Sequence, residues 1–351
     1  MKHLVLGLLM ATTFSGSLAA ADALIGRVSA LSQGYTTYIG EDINNLSIFQ
    51  DGQFLGEESF ENRYGTHPTV TNTVVSQPLT EPFILAHNNP TPFVFIYLHG
   101  ITDSAFQGKD LARSLYNSGQ NVLVTRLSGH GVDVVNINQI KVADWQNDVD
   151  KAIERAKLLG QKVVLMGLST GGALTIDRAY RAPQDVAALV AIAPAIGIAD
   201  RLLNLLEKVD LVQPLSHVLP YVGTTKTDEV EVRQVRKNTH ALHVLYELGK
   251  SVQARMNQPI GIPAVVVTSD ADVAIDMSVI PKLVSDLTHS QWLKLHGQEH
   301  GSLAFDPKYV AYPFYSEAEA QPPILPFGSL SDANTQYDEV VKAIVNLVGL
   351  D

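Results

Sequence analysis

A chain of 351 residues in which 46% are apolar can bury a large core, and its length exceeds one average domain without requiring two. The formal net charge of −11, with no cluster of Lys or Arg, argues against nucleic acid or an anionic lipid surface as a partner. The absence of cysteine rules out disulfides, thiolate metal ligands, a thiol nucleophile and a lipidated cysteine together.

The first 23 residues combine Lys2, an apolar run from Leu4 to about Phe14, and small residues from Ser15 to Ala23. This pattern predicts a secretory signal peptide cut between Ala19 and Ala23, and an exported protein, periplasmic or secreted. The apolar run is too short to span a bilayer, so no permanent membrane anchor is expected. Residues 24–92 read as a mostly extended N-terminal arm. Its clearest feature is a hairpin between Leu46 and Leu55, turning at Asp51-Gly52.

From Phe93 the pattern becomes regular. Phe93 to Leu98 predicts a buried strand, followed by a helix from about Ser104 to Ser118, with Asp103 or Ser104 as its cap and Gly119 as its stop. A strand at Asn121 to Arg126 leads into Leu127-Ser128-Gly129-His130-Gly131. The next helix is capped by Asp144 and has an apolar face of Trp145, Val149, Ala152, Ile153 and Ala156. Val163 to Met166 and Ala187 to Ile192 are further strands, with a helix from Thr170 to Pro183 between them. Between about Pro194 and Pro263 the alternation stops and helical spacing takes over, which predicts an inserted cap at 194–262. Strand and helix alternation resumes with a strand at Ala264 to Thr268, a helix from about Ile275 to Leu287, a strand at Gln291 to Leu295 and a helix from about Ala333 to Val348. Repeated βα units of this kind predict an α/β fold, a mostly parallel sheet with helices on both faces, built from 93–193 and 263–351.

Gly167-Leu168-Ser169-Thr170-Gly171 fits the pattern G-x-S-x-G between a strand and a helix. In that setting a sharp turn lifts the serine hydroxyl clear of the sheet, which makes Ser169 the candidate nucleophile. A serine hydroxyl needs a base, and the base needs a partner that fixes its tautomer. In a parallel sheet, residues just beyond the carboxyl ends of strands share one crevice. Those residues include Asp270 and Asp272 after one strand, and His296 and His300 after another. Either aspartate and either histidine could serve on this argument. The string His296-Gly297-Gln298-Glu299-His300 also spells the zinc pattern H-x-x-E-H, but Gly297 and the preceding strand disfavour the helix that pattern needs, so no metal is expected. His99 and His130 lie in glycine turns and are expected to hold those loops by hydrogen bonds.

Taken together, His99-Gly100-Ile101-Thr102-Asp103-Ser104, Leu127-Ser128-Gly129-His130-Gly131, Gly167-Leu168-Ser169-Thr170-Gly171-Gly172, Asp272-Val273 and Gly297-Gln298-Glu299-His300 resemble the α/β-hydrolase superfamily, in its monoacylglycerol lipase and carboxylesterase branch. The resemblance spans about Phe93 to Val348 with the cap inside. It implies Ser169, His300 and Asp272 as a catalytic triad, an oxyanion hole from the backbone N–H groups of Ile101 and Thr170, and no cofactor. It implies hydrolysis of a small-molecule ester or lipid-like substrate through an acyl-enzyme. An aminopeptidase, a thioesterase, a lactonase or an inactive hydrolase-like binding protein would share the same fold. Ile101 and Ser128 depart from the family, which often has an aromatic residue and a proline there. The stretches Leu24 to Thr91 and Asp306 to Asn334 have no family counterpart, and the second carries five prolines among aromatic residues.

Overall fold

The computed structural model describes residues 34–41, 81–130, 134–199, 221–222, 237–306 and 334–350. The expected signal peptide, the hairpin at Leu46–Leu55, the leucine-rich part of the cap and residues 307–333 lie outside the described residues.

An eight-stranded sheet organises the fold. Its strands are β1 (Thr36–Ile39), β2 (Phe83–Ala86), β3 (Thr91–Leu98), β4 (Asn121–Val124), β5 (Gly160–Leu168), β6 (Ala188–Ile192), β9 (Ala264–Ser269) and β10 (Ser290–Leu295), in the order β1-β2-β4-β3-β5-β6-β9-β10. Among the described residues of this sheet, only the β2–β4 pair is antiparallel. A second, two-stranded sheet pairs β7 (Tyr221–Val222) with β8 (Lys237–Asn238). The central strands are continuous apolar runs because both of their faces are covered, as a parallel sheet requires. Val94 to Leu98, Val164 to Met166 and Leu189 to Ile192 are all essentially inaccessible to solvent.

The main strands lie where the sequence places them. One expectation falls short: β1 and β2 extend the sheet into the segment read as an arm, and Phe83, Ile84 and Leu85 are fully buried against β4. Four apolar residues among prolines carry too short a period to announce a strand, and only the neighbouring β4 makes the pairing visible.

The helices are α1 (Lys109–Asn117), α2 (Val142–Ala156), α3 (Thr170–Arg181), α4 (Thr239–Arg255), α5 (Ile280–Asp286) and α6 (Tyr337–Leu347). The helix expected from Ser104 begins as a 3-10 turn, Ala105–Gly108, whose first donor Phe106 N–H is taken by Ser104 Oγ. The apolar face foreseen for α2 is the buried one. Its start lies three residues earlier than expected. Lys141 occupies the cap position, and Asp144 sits inside the first turn, where its carboxylate accepts Lys141 N–H at 2.8 Å. An acid at that position satisfies one donor of the helix start and also suits the helix dipole, so it resembles a cap in sequence. Helix α4, from the expected cap, packs on α3, and Arg255 at its end bonds Asp177 of α3 at 3.4 Å.

Candidate active site

The turn from β5 into α3 positions Ser169. The serine adopts φ 56° and ψ −112°, a left-handed conformation that is costly for a residue with a side chain. Three main-chain hydrogen bonds hold it there. Ser169 N–H donates to the Ile192 carbonyl at 2.9 Å, and the Ser169 carbonyl accepts Ala173 N–H at 2.9 Å and Ala195 N–H at 3.0 Å. Gly171 is required by close approach, since a methyl group there would be driven into the Leu98 carbonyl oxygen at the end of β3.

The loop after β3 faces this turn. A methyl group at Gly100 would lie 3.5 Å from Ser169 Cβ and 2.8 Å from Asp103 Oδ2, so the main chain at Gly100 runs directly beside the serine. Gly171 N–H donates to the His99 carbonyl at 3.1 Å and ties the loop to α3. Among the described residues, the N–H groups of Ile101 and Thr170 donate to no turn or cap carbonyl. Donors left open beside a serine are what an oxyanion needs.

Two buried histidines set the shape of that loop. His99 Nδ1–H donates to the Gly100 carbonyl at 2.8 Å, while its Nε2 accepts Leu127 N–H at 3.1 Å. His130 Nε2 lies 2.8 Å from the Ile101 carbonyl and its Nδ1 lies 3.2 Å from the Ser128 carbonyl. Burial, with the neighbouring His130 adding to it, holds His99 well below the usual histidine range. Burial also lowers His130, against the opposing effect of its carbonyl partners. Both are therefore neutral near pH 7 and act as fixed hydrogen-bonding posts, the role expected of them.

Gln107 was not foreseen. Its Oε1 accepts Gly100 N–H at 2.9 Å and the Tyr97 hydroxyl at 3.3 Å, and its Nε2 donates to Asp103 Oδ2 at 2.7 Å. A glutamine one turn past a His-Gly loop has no sequence signature, and only its burial marks it. Asp148 on α2, only partly buried, accepts Ser128 N–H at 2.6 Å and Ser128 Oγ–H at 3.0 Å. Ser128 thus offers two donors where a proline would offer none. Burial raises the Asp148 pKa, and the Ser128 bonds oppose that rise.

Beyond the ends of β9 and β10 the structure forms two separate Asp–His pairs. Asp272 Oδ2 lies 2.7 Å from His300 Nδ1, and Asp272 Oδ1 accepts Ala274 N–H at 2.8 Å. The side chains of this pair are 0% and 12% exposed. Asp270 Oδ2 lies 2.9 Å from His296 Nδ1, with side chains 60% and 79% exposed. Each aspartate takes one histidine, so the four candidates fall into one screened pair and one exposed pair. The zinc pattern does not form its helix. Strand β10 stops at Leu295, Gly297 turns at φ +67°, and His300 begins a 3-10 turn, His300–Ser302. His240, on α4, contacts the Ile140 carbonyl at 2.7 Å.

Residues 89–304 match the family model described as serine aminopeptidase, S33. The chain belongs to this family of α/β-hydrolases. A curated relative, the thermostable monoacylglycerol lipase of Bacillus sp. (strain H-257), is 31% identical over 118 residues. That stretch covers 34% of this chain and 46% of the relative, so the match spans about half of the relative's length. Among solved structures, one from work on LipS and LipT, two metagenome-derived lipolytic enzymes, aligns with TM-score 0.56 at 21% identity, covering 67% of this chain and 94% of the other. The monoacylglycerol lipase of Paleococcus ferrophilus aligns with TM-score 0.56 at 16% identity, covering 77% and 98%. At these identities the structures establish the fold, an α/β-hydrolase with its mostly parallel sheet.

Proposed function

We propose that the protein is an exported serine hydrolase that cleaves carboxylic esters through an acyl-enzyme. The observation that carries this reading is the pairing of a strained serine turn on β5 with a buried Asp–His pair beyond β9 and β10, at the same end of one parallel sheet. Ser169 Oγ attacks the ester carbonyl while its proton passes to His300 Nε2. His300 Nδ1–H stays on Asp272, which holds the ring in the needed tautomer and stabilises the imidazolium. The carbonyl oxygen, now negative, lies against the N–H groups of Ile101 and Thr170, each of which contributes about 3 kcal/mol to the transition state. His300 then gives the proton to the departing alkoxide, the C–O bond breaks and the acyl group remains on Ser169. Water repeats the sequence, returning the serine and releasing the acid.

A lipid-like or monoacylglycerol ester is the substrate class suggested by the curated relative, and an aminoacyl amide is the rival suggested by the family's description. Esters of graded acyl length assayed beside aminoacyl amides separate the two. Hydrolysis of the esters with inert amides supports the esterase reading, and the reverse result replaces it with an aminopeptidase. Export rests on the charge and apolar pattern of Met1 to Ala23. Sequencing the N-terminus of the protein recovered outside the cytoplasm tests it, and an intact Met1 there would contradict it.

A further inference from the structure

The five residues from His296 to His300 carry the proposed base, and the structure grips them from two sides. On one side are the residues that end β9. Ser269 Oγ accepts Gln298 N–H at 3.0 Å, Asp270 Oδ1 accepts Gly297 N–H at 2.7 Å, and Asp270 Oδ2 meets His296 Nδ1 at 2.9 Å. On the other side is the turn before α6. Gln336 Oε1 accepts His296 N–H at 3.0 Å, Gln298 Oε1 accepts Thr335 N–H at 3.1 Å, and Gln298 Nε2 donates to Thr335 Oγ1 at 2.9 Å. The chain reverses sharply between these grips, at Gly297.

We propose that Asp270 is a positioning residue for His300: together with Ser269 it fixes the main chain at 297–298, so that the imidazole arrives in register with Asp272. The inference rests on the reading of His300 as the base. Its warrant is the order of the contacts. Ser269, Asp270 and Asp272 stand within four residues of one strand end, and they hold Gln298, His296 with Gly297, and His300. His300 itself begins a turn of only three residues, so no long helix sets its direction. A simple exposed ion pair contributes little and needs no main-chain contact. Here one carboxylate oxygen is committed to a main-chain N–H three residues before the base, and that contact converts an exposed pair into a brace.

The test uses the full chain, a short-chain p-nitrophenyl ester, thermal melts, and the far-downfield proton resonance of the hydrogen bond between His300 and Asp272. Asp270→Ala should lower kcat about tenfold, well short of the about 100-fold that a full ångström of misplacement costs, with KM changed less than about twofold. Its melting temperature should stay near wild type, because the side chain is exposed. The downfield resonance should broaden or shift. Asp270→Asn keeps an acceptor for Gly297 N–H and should recover most of kcat and the resonance. His296→Ala keeps the Gly297 bond and should lose less than Asp270→Ala. An Asp270→Ala enzyme with wild-type kcat and an unchanged resonance would overturn the proposal, as would a loss of kcat that follows a lowered melting temperature. Ser169→Ala in the same assay separates the two readings. If it remains active, the hydrolase mechanism fails; if it is inactive while Asp270→Ala is unimpaired, only the positioning role fails.

Discussion

The two Asp–His pairs stand on neighbouring positions of the same two strand ends, share the same atoms in contact and differ by only 0.2 Å in length, yet they face different solvents. Asp272 is removed from water and has both carboxylate oxygens occupied, one by His300 and one by Ala274 N–H. Asp270 is open to water and spends its second oxygen on the loop, at Gly297 N–H. Contact distance alone therefore does not distinguish the two pairs. Burial does, because a carboxylate out of water orients and stabilises a charged imidazole far more strongly than a screened one does.

Substitution should separate the pairs most widely at the histidines. Ser169→Ala and His300→Ala should each lose about four to six orders of magnitude in kcat, since nucleophile and base act as one unit. His296→Ala should remain within about threefold of wild type in the same ester assay.

The next contrast is at the aspartates. Asp272→Asn should lose about 10⁴-fold in kcat, because an amide cannot accept from both His300 Nδ1–H and Ala274 N–H. The identical change at Asp270 should cost only a few-fold. Equal losses in the two variants, measured as kcat in purified protein with matched melting temperatures, would erase the distinction between the pairs.

The pH dependence sharpens the same point. Activity as kcat/KM should rise from acid toward neutral pH, as a general base that must be neutral requires, and His296→Ala should leave that profile in place. The bond with His296, followed by that from Gly297 N–H, holds Asp270 below the usual carboxylate range. Stability adds a separate acid effect. Burial holds His99 and His130 below the ordinary histidine value of 6.5 in the folded protein. The unfolded chain then binds protons first as pH falls, so their contribution is fully present above about pH 6.5 and is lost as pH drops toward the folded values. Melting temperatures between pH 7 and pH 5 should decline accordingly, and a rise on acidification would contradict two neutral buried histidines.

The smallest expected effect is that of chelators. The string His296-Gly297-Gln298-Glu299-His300 does not form the helix that would set its two histidines on one face, because β10 stops at Leu295 and Gly297 turns at φ +67°. Activity should be indifferent to strong chelation, and loss restored by zinc would revive the metal reading.

Much of this arrangement is legible in the chain. The apolar runs of β3, β5, β6 and β9 stand out because a parallel sheet buries both faces, and the Ser169 turn stands out because only small residues fit it. What the sequence does not disclose is pairing across distance. Asp270 and Asp272 are chemically identical and two residues apart, and no local pattern says which one is buried. Gln107 and Asp148 are likewise ordinary surface residues by type. The role of Gln107 follows from burial, which forces a polar group to find partners, and that of Asp148 from the Ser128 donors that meet it. The strand β2 is hidden for the opposite reason, as a short apolar run that only its neighbour makes a strand.

The proposed chemistry depends on the identity of the reacting serine and of the pair that activates it. Labelling with a fluorophosphonate probe, with the modified residue located by mass spectrometry, measures both in wild type, His300→Ala and His296→Ala. The expected result is a label on Ser169 that forms rapidly in wild type and in His296→Ala and is nearly abolished in His300→Ala. A label on any other residue, or rapid labelling that survives loss of His300 and disappears with His296, would contradict it.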